Sequence, residues 1–114
     1  MRGVRCVLLN KGHIGMQISV NIIKQGKHVL VAACDLNLLG VTLKLKEISF
    51  VVQKGFYGGS VVGIEEAVSL MRQGTSVNII GHEIVGAAVE EGLVHPEAVL
   101  DISGVPHAQI IRMY

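Results

Sequence analysis

The sequence is poor in aromatic, proline and cysteine residues. It has no tryptophan, two tyrosines, two phenylalanines, two prolines and two cysteines in 114 residues. With so few rings, a core must be built from Val, Ile, Leu and Ala, which pack by shape. Cys6 and Cys34 show no CxxC spacing, so neither a disulfide framework nor a cysteine zinc site is indicated. We expect two buried thiols in a reducing compartment.

Long apolar runs are also missing. The longest, Val29–Cys34, is far shorter than the ~20 residues that cross a bilayer. The apolar piece Cys6–Leu9, which follows Arg2 and Arg5, is shorter than the ~7–15 residues of a signal-peptide core. We therefore expect no membrane segment and predict a cytoplasmic protein.

Apolar residues are nevertheless abundant, at 50% of the chain. The length predicts a single domain over residues 1–114. Since a domain of this size has a limited interior, part of its apolar surface is expected at a subunit interface. This predicts a homo-oligomer.

Charge is distributed unevenly behind a net charge of +1. Residues 1–60 hold eight Lys and Arg against two acids, whereas residues 61–114 hold two Arg against seven acids. If the basic half forms one face, that face would attract phosphate groups, as in RNA, or an acidic protein partner.

The first half of the chain is predicted to consist mainly of strands. Alternating residues from Gln17 to Ile22, a turn at Gln25-Gly26 and the apolar run His28–Cys34 predict a hairpin whose second strand is central. Asp35 is expected to cap a short helical turn, Leu36–Leu39. Before this hairpin, residues 1–15 predict a strand at Val4–Leu9 and then a loop.

Alternation then continues over a strand region, Thr42–Val52, which would place Lys44 and Lys46 on the same side. Gly55–Gly59 predicts a glycine-rich turn. One interpretation of its Phe56 and Tyr57 is that they cover an edge of the core; the other is an exposed platform for a base or peptide.

Two amphipathic helices are predicted in the second half, at about 63–73 and 82–91. Strands are predicted at Val77–Ile80, Val99–Ile102 and Gln109–Met113, with a brief turn at Pro96 and another at Ser103-Gly104. This order predicts an α+β fold, a two-layer sandwich of a mixed sheet with two main helices.

No catalytic or metal-binding motif is complete. His82-Glu83 begins like the HExxH motif of zinc proteases, but Gly86 occupies the place of the second histidine. Glu83 is then expected to complement a helix dipole. Cys34 precedes Asp35, and a neighbouring carboxylate raises a thiol pKa, which disfavours a nucleophilic role. We predict no metal and no cofactor.

The last quarter of the chain concentrates polar residues around both prolines. An extended segment after Pro106 would display His107 and Gln109 on one side, as a recognition site. The alternative is a turn in which His107 is hydrogen-bonded at the start of a strand. A cis peptide between Val105 and Pro106 stays open at this point.

Four motifs in order carry a family resemblance. They are Cys34-Asp35 with Leu38-Leu39-Gly40, Phe56-Tyr57-Gly58-Gly59, Glu91-Gly92-Leu93-Val94-His95-Pro96 with Val99-Leu100, and Gly104-Val105-Pro106-His107-Ala108-Gln109. Through them the chain resembles an archaeal family catalogued as domain-of-unknown-function family 424, from about Met16 to the C-terminus, with residues 1–15 outside. The resemblance implies a small cytoplasmic archaeal protein of α/β character. It implies no activity, substrate or catalytic residue.

Three functions follow from these features. The first is a non-enzymatic module that binds RNA or a ribonucleoprotein, suggested by the basic half, by Lys44 and Lys46, and by the aromatic pair. The second is a small-ligand protein or enzyme with a pocket gathered from separate loops, whose members would be Cys34, Asp35, Tyr57, His95 and His107. The third is an oligomeric structural adaptor. The candidate binding residues are Lys44, Lys46, Phe56, Tyr57, His95, His107 and Gln109.

Overall fold

The structure, a computed structural model, describes residues 17–112. Its strands are β1 (Ile18–Gln25), β2 (His28–Asp35), β3 (Thr42–Leu45), β4 (Ile48–Val51), β5 (Ser60–Val62), β6 (Ser76–Ile80), β7 (Leu100–Ile102) and β8 (Val105–Ile111). Its helices are α1 (Lys54–Tyr57), α2 (Ile64–Gln73) and α3 (His82–Glu90), with 3-10 turns at Leu36–Leu38 and Pro96–Ala98. Cys6 and the strand predicted at Val4–Leu9 lie outside the described residues.

Within residues 17–112, six strands form one mixed sheet in the order β5-β1-β2-β6-β8-β7. The pair β2/β6 is parallel and the other neighbours are antiparallel. The first hairpin turns at Gly26, where φ is +61°, and β2 lies centrally, as predicted. The α+β class with a mixed sheet and two main helices is confirmed.

Helices α2 and α3 cover one face of the sheet, and we call them the helix layer. Both lie where periodicity placed them, and their apolar stripes enter the larger core. The buried members of this core are Ile18, Val20, Val31, Ala33, Ala67, Met71, Val77, Ile79, Ile84, Val85, Ala88, Val94 and Ala108. Helix α3 ends as predicted before Gly92, whose φ of +76° reverses the chain, and Leu93 then packs on the core.

On the opposite face of the sheet lie β3, β4 and α1, which together we call the hairpin layer. A second, smaller core lies beneath this layer. Its buried members are Ala32, Cys34, Val52, Tyr57 and Ile80. Because side chains alternate along a strand, β2 contributes Ala32 and Cys34 to this core and Val31 and Ala33 to the other. A central strand that is apolar on both faces is therefore required.

The single strand region predicted over Thr42–Val52 is wrong, because the structure has two strands joined by a turn. Leu45 pairs with Ile48, and Lys46 has a left-handed φ of +58° in the turn between them. Lys44 and Lys46 therefore do not share the face of one strand. The sequence carries the signal: the apolar alternation shifts phase by one residue between Leu45 and Ile48.

Two further boundaries differ from the prediction. The glycine-rich turn expected at Gly55–Gly59 overlaps helix α1, which begins at Lys54, and the short strand β5 after it was missed. The last strand begins at Val105 rather than Gln109, with Pro106 inside it. Residues 17–112 contain no cis peptide bond, so the bond before Pro106 is trans.

Candidate functional site

Asp35 ends β2 and fixes the start of helix α3. Its carboxylate accepts hydrogen bonds from the backbone N–H groups of Glu83, at 2.9 Å, and Ile84, at 3.0 Å. The prediction that Asp35 caps the turn after it is wrong, since its side chain makes no capping bond there. Because β2 and β6 are parallel neighbours, the end of β2 lies beside the helix that follows β6. Asp35 is 8% exposed, and its carboxylate satisfies two otherwise unpaired donors of α3.

Gly81 allows this close approach. Its φ of +128° is essentially restricted to glycine. A Cβ at this position would lie 2.6 Å from Asp35 Oδ1 and 2.7 Å from Oδ2. The Gly81 N–H donates to the Pro106 carbonyl at 2.9 Å, so one glycine joins β8, β6 and the carboxylate.

A polar cluster lies on the other face of the sheet, beneath the hairpin layer. The Tyr57 hydroxyl donates to Asn78 Oδ1 at 2.5 Å, and His107 Nε2 lies 3.1 Å from the same oxygen. Because an amide oxygen only accepts, this contact is a hydrogen bond when the His107 proton is on Nε2. Its buried Nδ1 has no hydrogen-bond partner within the described residues, and the Phe50 ring packs against its ring at 6.0 Å and 76°.

The ionisable groups of this cluster are held neutral. Burial, with a smaller contribution from Asp35, raises the pKa of the Cys34 thiol to about 12. Burial and the neighbouring Cys34 raise the pKa of Tyr57 to about 12. Burial lowers the pKa of His107. At neutral pH the cluster therefore offers neither a thiolate nor a charged imidazole for catalysis.

Helix α1 is anchored to β1 by two side chains. Ser19 Oγ donates to the Tyr57 carbonyl and Asn21 Nδ2 to the Phe56 carbonyl, both at 2.9 Å. Tyr57 is 3% exposed, and the partly buried Phe56 packs edge-on against it with ring centroids 4.8 Å apart. The interpretation of this pair as covering the edge of the core fits this geometry, whereas an exposed platform does not.

His95 and Gln109 lie apart from that cluster. His95 is exposed and caps the 3-10 turn, where its Nδ1 accepts from the Glu97 N–H at 3.1 Å. Gln109 is exposed on β8, two residues from His107 and therefore on the same side of the strand. The segment after Pro106 is extended, but His107 is partly buried and bonds Asn78, so of the two side chains only Gln109 is exposed.

The five residues that were predicted to line a pocket come together only in part. Tyr57 and His107 meet through Asn78, and Cys34 lies beside Tyr57, but Asp35 serves α3 and His95 caps its own turn. Asn78 was missed. A signal was present, because a lone amide inside an apolar strand needs a buried partner.

Neither a metal site nor a membrane span emerges from the described residues. Over residues 17–112, no three His, Cys, Asp or Glu side chains are grouped to hold a metal ion. In the same range no helix combines the length and the apolar character needed to cross a bilayer.

Charge separates between the two layers. In the hairpin layer Lys44, Lys46 and Lys54 are exposed, with Glu47 as the acid of that segment. Lys44 alternates with Leu43, which packs on the smaller core, so it faces away from the sheet. The helix layer carries Glu65, Glu66, Glu83 and Glu90, with Arg72 as its one cation. The charge asymmetry of the sequence has become a difference between these two layers.

Replacing Tyr57 with phenylalanine is expected to lower the free energy of unfolding by about 1–2 kcal/mol, because one buried hydrogen bond is lost. Asn78 Oδ1 would keep His107 as a partner, which limits the loss. Urea unfolding of the variant beside Ser69→Ala, an exposed change on α2, measures the difference. Equal stability of the two variants would contradict the bond.

Cys34 is expected to react with a disulfide reagent at least about 100-fold more slowly in the folded chain than in denaturant, because its thiol is buried and protonated. The measurement needs a Cys6→Ser background so that one thiol is observed. Labelling at the rate of free cysteine at pH 8 would show that the smaller core is open.

Comparisons with known proteins identify relatives that are described as uncharacterized or of unknown function. A family model described as "Protein of unknown function (DUF424)" matches residues 23–113. The chain is similar to a solved structure described as that of an uncharacterized conserved protein from Methanopyrus kandleri, with 27% identity and a TM-score of 0.75. The similarity covers 86% of this chain and 95% of the other. Among curated proteins, no sequence matches significantly.

Proposed function

Because the chain belongs to DUF424, a family described only as of unknown function, its role must be argued from its own surface, and we propose that it is a cytoplasmic, non-enzymatic RNA-binding module. RNA would contact the hairpin layer through Lys44, Lys46 and Lys54. The observation that carries the proposal is the separation of charge between the hairpin layer and the helix layer.

Two features of the charge distribution support phosphate binding at the hairpin layer. Its lysines are exposed, and an ammonium group binds phosphate as a point charge without needing fixed geometry. On the other side of the sheet, the helix layer would repel RNA, and its Arg72 is already bonded to Glu91 at 2.9 Å. The two layers together would orient the protein on a polyanion.

Contact with phosphates is favoured over stacking on bases. Tyr57 is buried and Phe56 is partly buried against it, so α1 exposes little aromatic surface for stacking on bases. Exposed Gln109, on the hairpin side of β8, is the candidate for a hydrogen bond to a base edge. Three phosphate contacts to single-stranded RNA give a slope of about −2 in log affinity against log salt.

Filter binding across a salt series tests this proposal. Lys44→Gln with Lys46→Gln removes two positive charges from the hairpin layer. Ser69→Glu with Gly86→Glu adds two negative charges to exposed positions of the helix layer, so the net charges match. Losing two of three phosphate contacts should lower the affinity at least about tenfold and flatten the slope to about −0.7, whereas the control pair should change both less. No binding at low salt, or equal losses for both pairs, would reject the proposal.

A further inference from the structure

Strand β1 is longer than the strand on its outer side. It pairs with β2 along its whole length, from Ile18 to Gln25, but with β5 only from Ile18 to Val20. Within residues 17–112, the outer edge of β1 from Asn21 to Gln25 therefore has no partner strand. Ile22 and Ile23 on this edge are 39% and 37% exposed. An apolar unpaired edge is a template for pairing with another chain.

Helix α2 borders this edge with an acidic residue. Leu70 of α2 lines a shallow depression together with Ile22 and Ser60. Glu66 lies one helical turn before Leu70 and therefore on the same flank of the helix. Arg72 lies on the other flank, where it bonds Glu91 beyond α3. The free edge thus combines its own Lys24 with a nearby Glu66.

We propose that this edge of β1 is the interface between two copies of the chain. A two-fold axis through Ile23 places Ile23 opposite the partner's Ile23, Ile22 opposite the partner's Lys24, and Asn21 opposite the partner's Gln25. No lysine faces a lysine in this antiparallel register. Directly opposite residues share a face of the sheet.

The charges around the edge favour a second copy over another extended segment. Lys24 lies two residues after Ile22 and four after Val20, so its side chain shares their face, the helix side of the sheet. The partner's Lys24, opposite Ile22, then lies beside Leu70 and within one helical turn of Glu66. An acidic strand would meet Glu66 and a basic strand would meet Lys24, whereas a copy of this chain offers a complement to both.

Sedimentation equilibrium of the full chain tests the interface. The expected result is twice the mass of one chain. Ile23→Lys, which puts two lysines opposite each other on the axis, should weaken the dimer at least about tenfold. Ile111→Lys is the matched control, since Ile111 is an apolar strand residue that is 72% exposed on β8, away from this edge.

Exchanging the charges of Lys24 and Glu66 provides a more specific test of the dimer. Lys24→Glu and Glu66→Lys should each weaken the dimer, and the double variant should recover the affinity of the parent chain. Far-ultraviolet circular dichroism of each variant establishes that it is folded. A monomeric parent chain would overturn the proposal and leave the edge to another occupant. A dimer that survives Ile23→Lys, or single charge variants without rescue, would also overturn it.

Discussion

Replacing Gly81 with alanine is expected to lower the free energy of unfolding by about 3 kcal/mol or more. Backbone strain accounts for about 1–3 kcal/mol, because φ is +128° at this position. The new Cβ would also displace the Asp35 carboxylate, which caps α3 through the N–H groups of Glu83 and Ile84. Since the free energy of unfolding of small domains is about 5–15 kcal/mol, this loss is a large fraction of the total.

Gly86→Ala is the matched control for that experiment. Gly86 lies inside α3, is exposed, and has no atom within 4 Å of an added Cβ. Alanine should therefore stabilise the helix by about 0.5–1 kcal/mol. Urea unfolding of both variants separates the general effect of an added methyl group on the free energy of unfolding from the effect that is specific to position 81. A Gly81→Ala protein as stable as the parent would show that the carboxylate and the glycine are not interlocked.

Replacing Asp35 with alanine is the second large loss, expected at about 3 kcal/mol, because two charge-assisted hydrogen bonds disappear, one buried and one partly buried. Asp35→Asn keeps the shape and one acceptor oxygen, so about half of that loss is expected. The helix should also lose protection of its first amides, which hydrogen exchange at Glu83 and Ile84 would detect.

Asp101→Ala provides the comparison, because Asp101 is exposed on the edge strand β7. Its removal should change the free energy of unfolding by no more than about 0.5 kcal/mol. If Asp35→Ala costs as little as Asp101→Ala, the cap contributes nothing and the start of α3 is fixed by packing alone.

The sequence predicted those elements whose residues repeat with a regular period. The hairpin from Ile18 to Asp35 and the helices α2 and α3 follow from periods of two and 3.6 residues and from glycines at their ends. The separation of charge was also present in the sequence. It became a property of two surfaces only because α2 and α3 lie on one side of the sheet and the hairpin layer on the other.

Contacts between residues that are distant in the sequence could not be predicted from these local patterns. Asp35 stands beside a possible short helix, so a local cap was the natural prediction, yet its partners are 48 and 49 residues away. Asn78 joins Tyr57 and His107 only because β6 and β8 are neighbours under α1. The three-residue strand β5 has too few residues to show a period and is defined by its pairing with β1.

The role of the hairpin layer is tested most directly by titrating the isotope-labelled full chain with a short single-stranded RNA and following backbone amide signals. The proposal predicts shifts at Lys44–Ile48 and Lys54–Tyr57 that grow with RNA and disappear as salt is added. The amide signals of α2 and α3 should not shift, because the exposed glutamates of these helices repel phosphate. Shifts centred on α2 and α3, or no shifts at low salt, would contradict RNA binding through the hairpin layer.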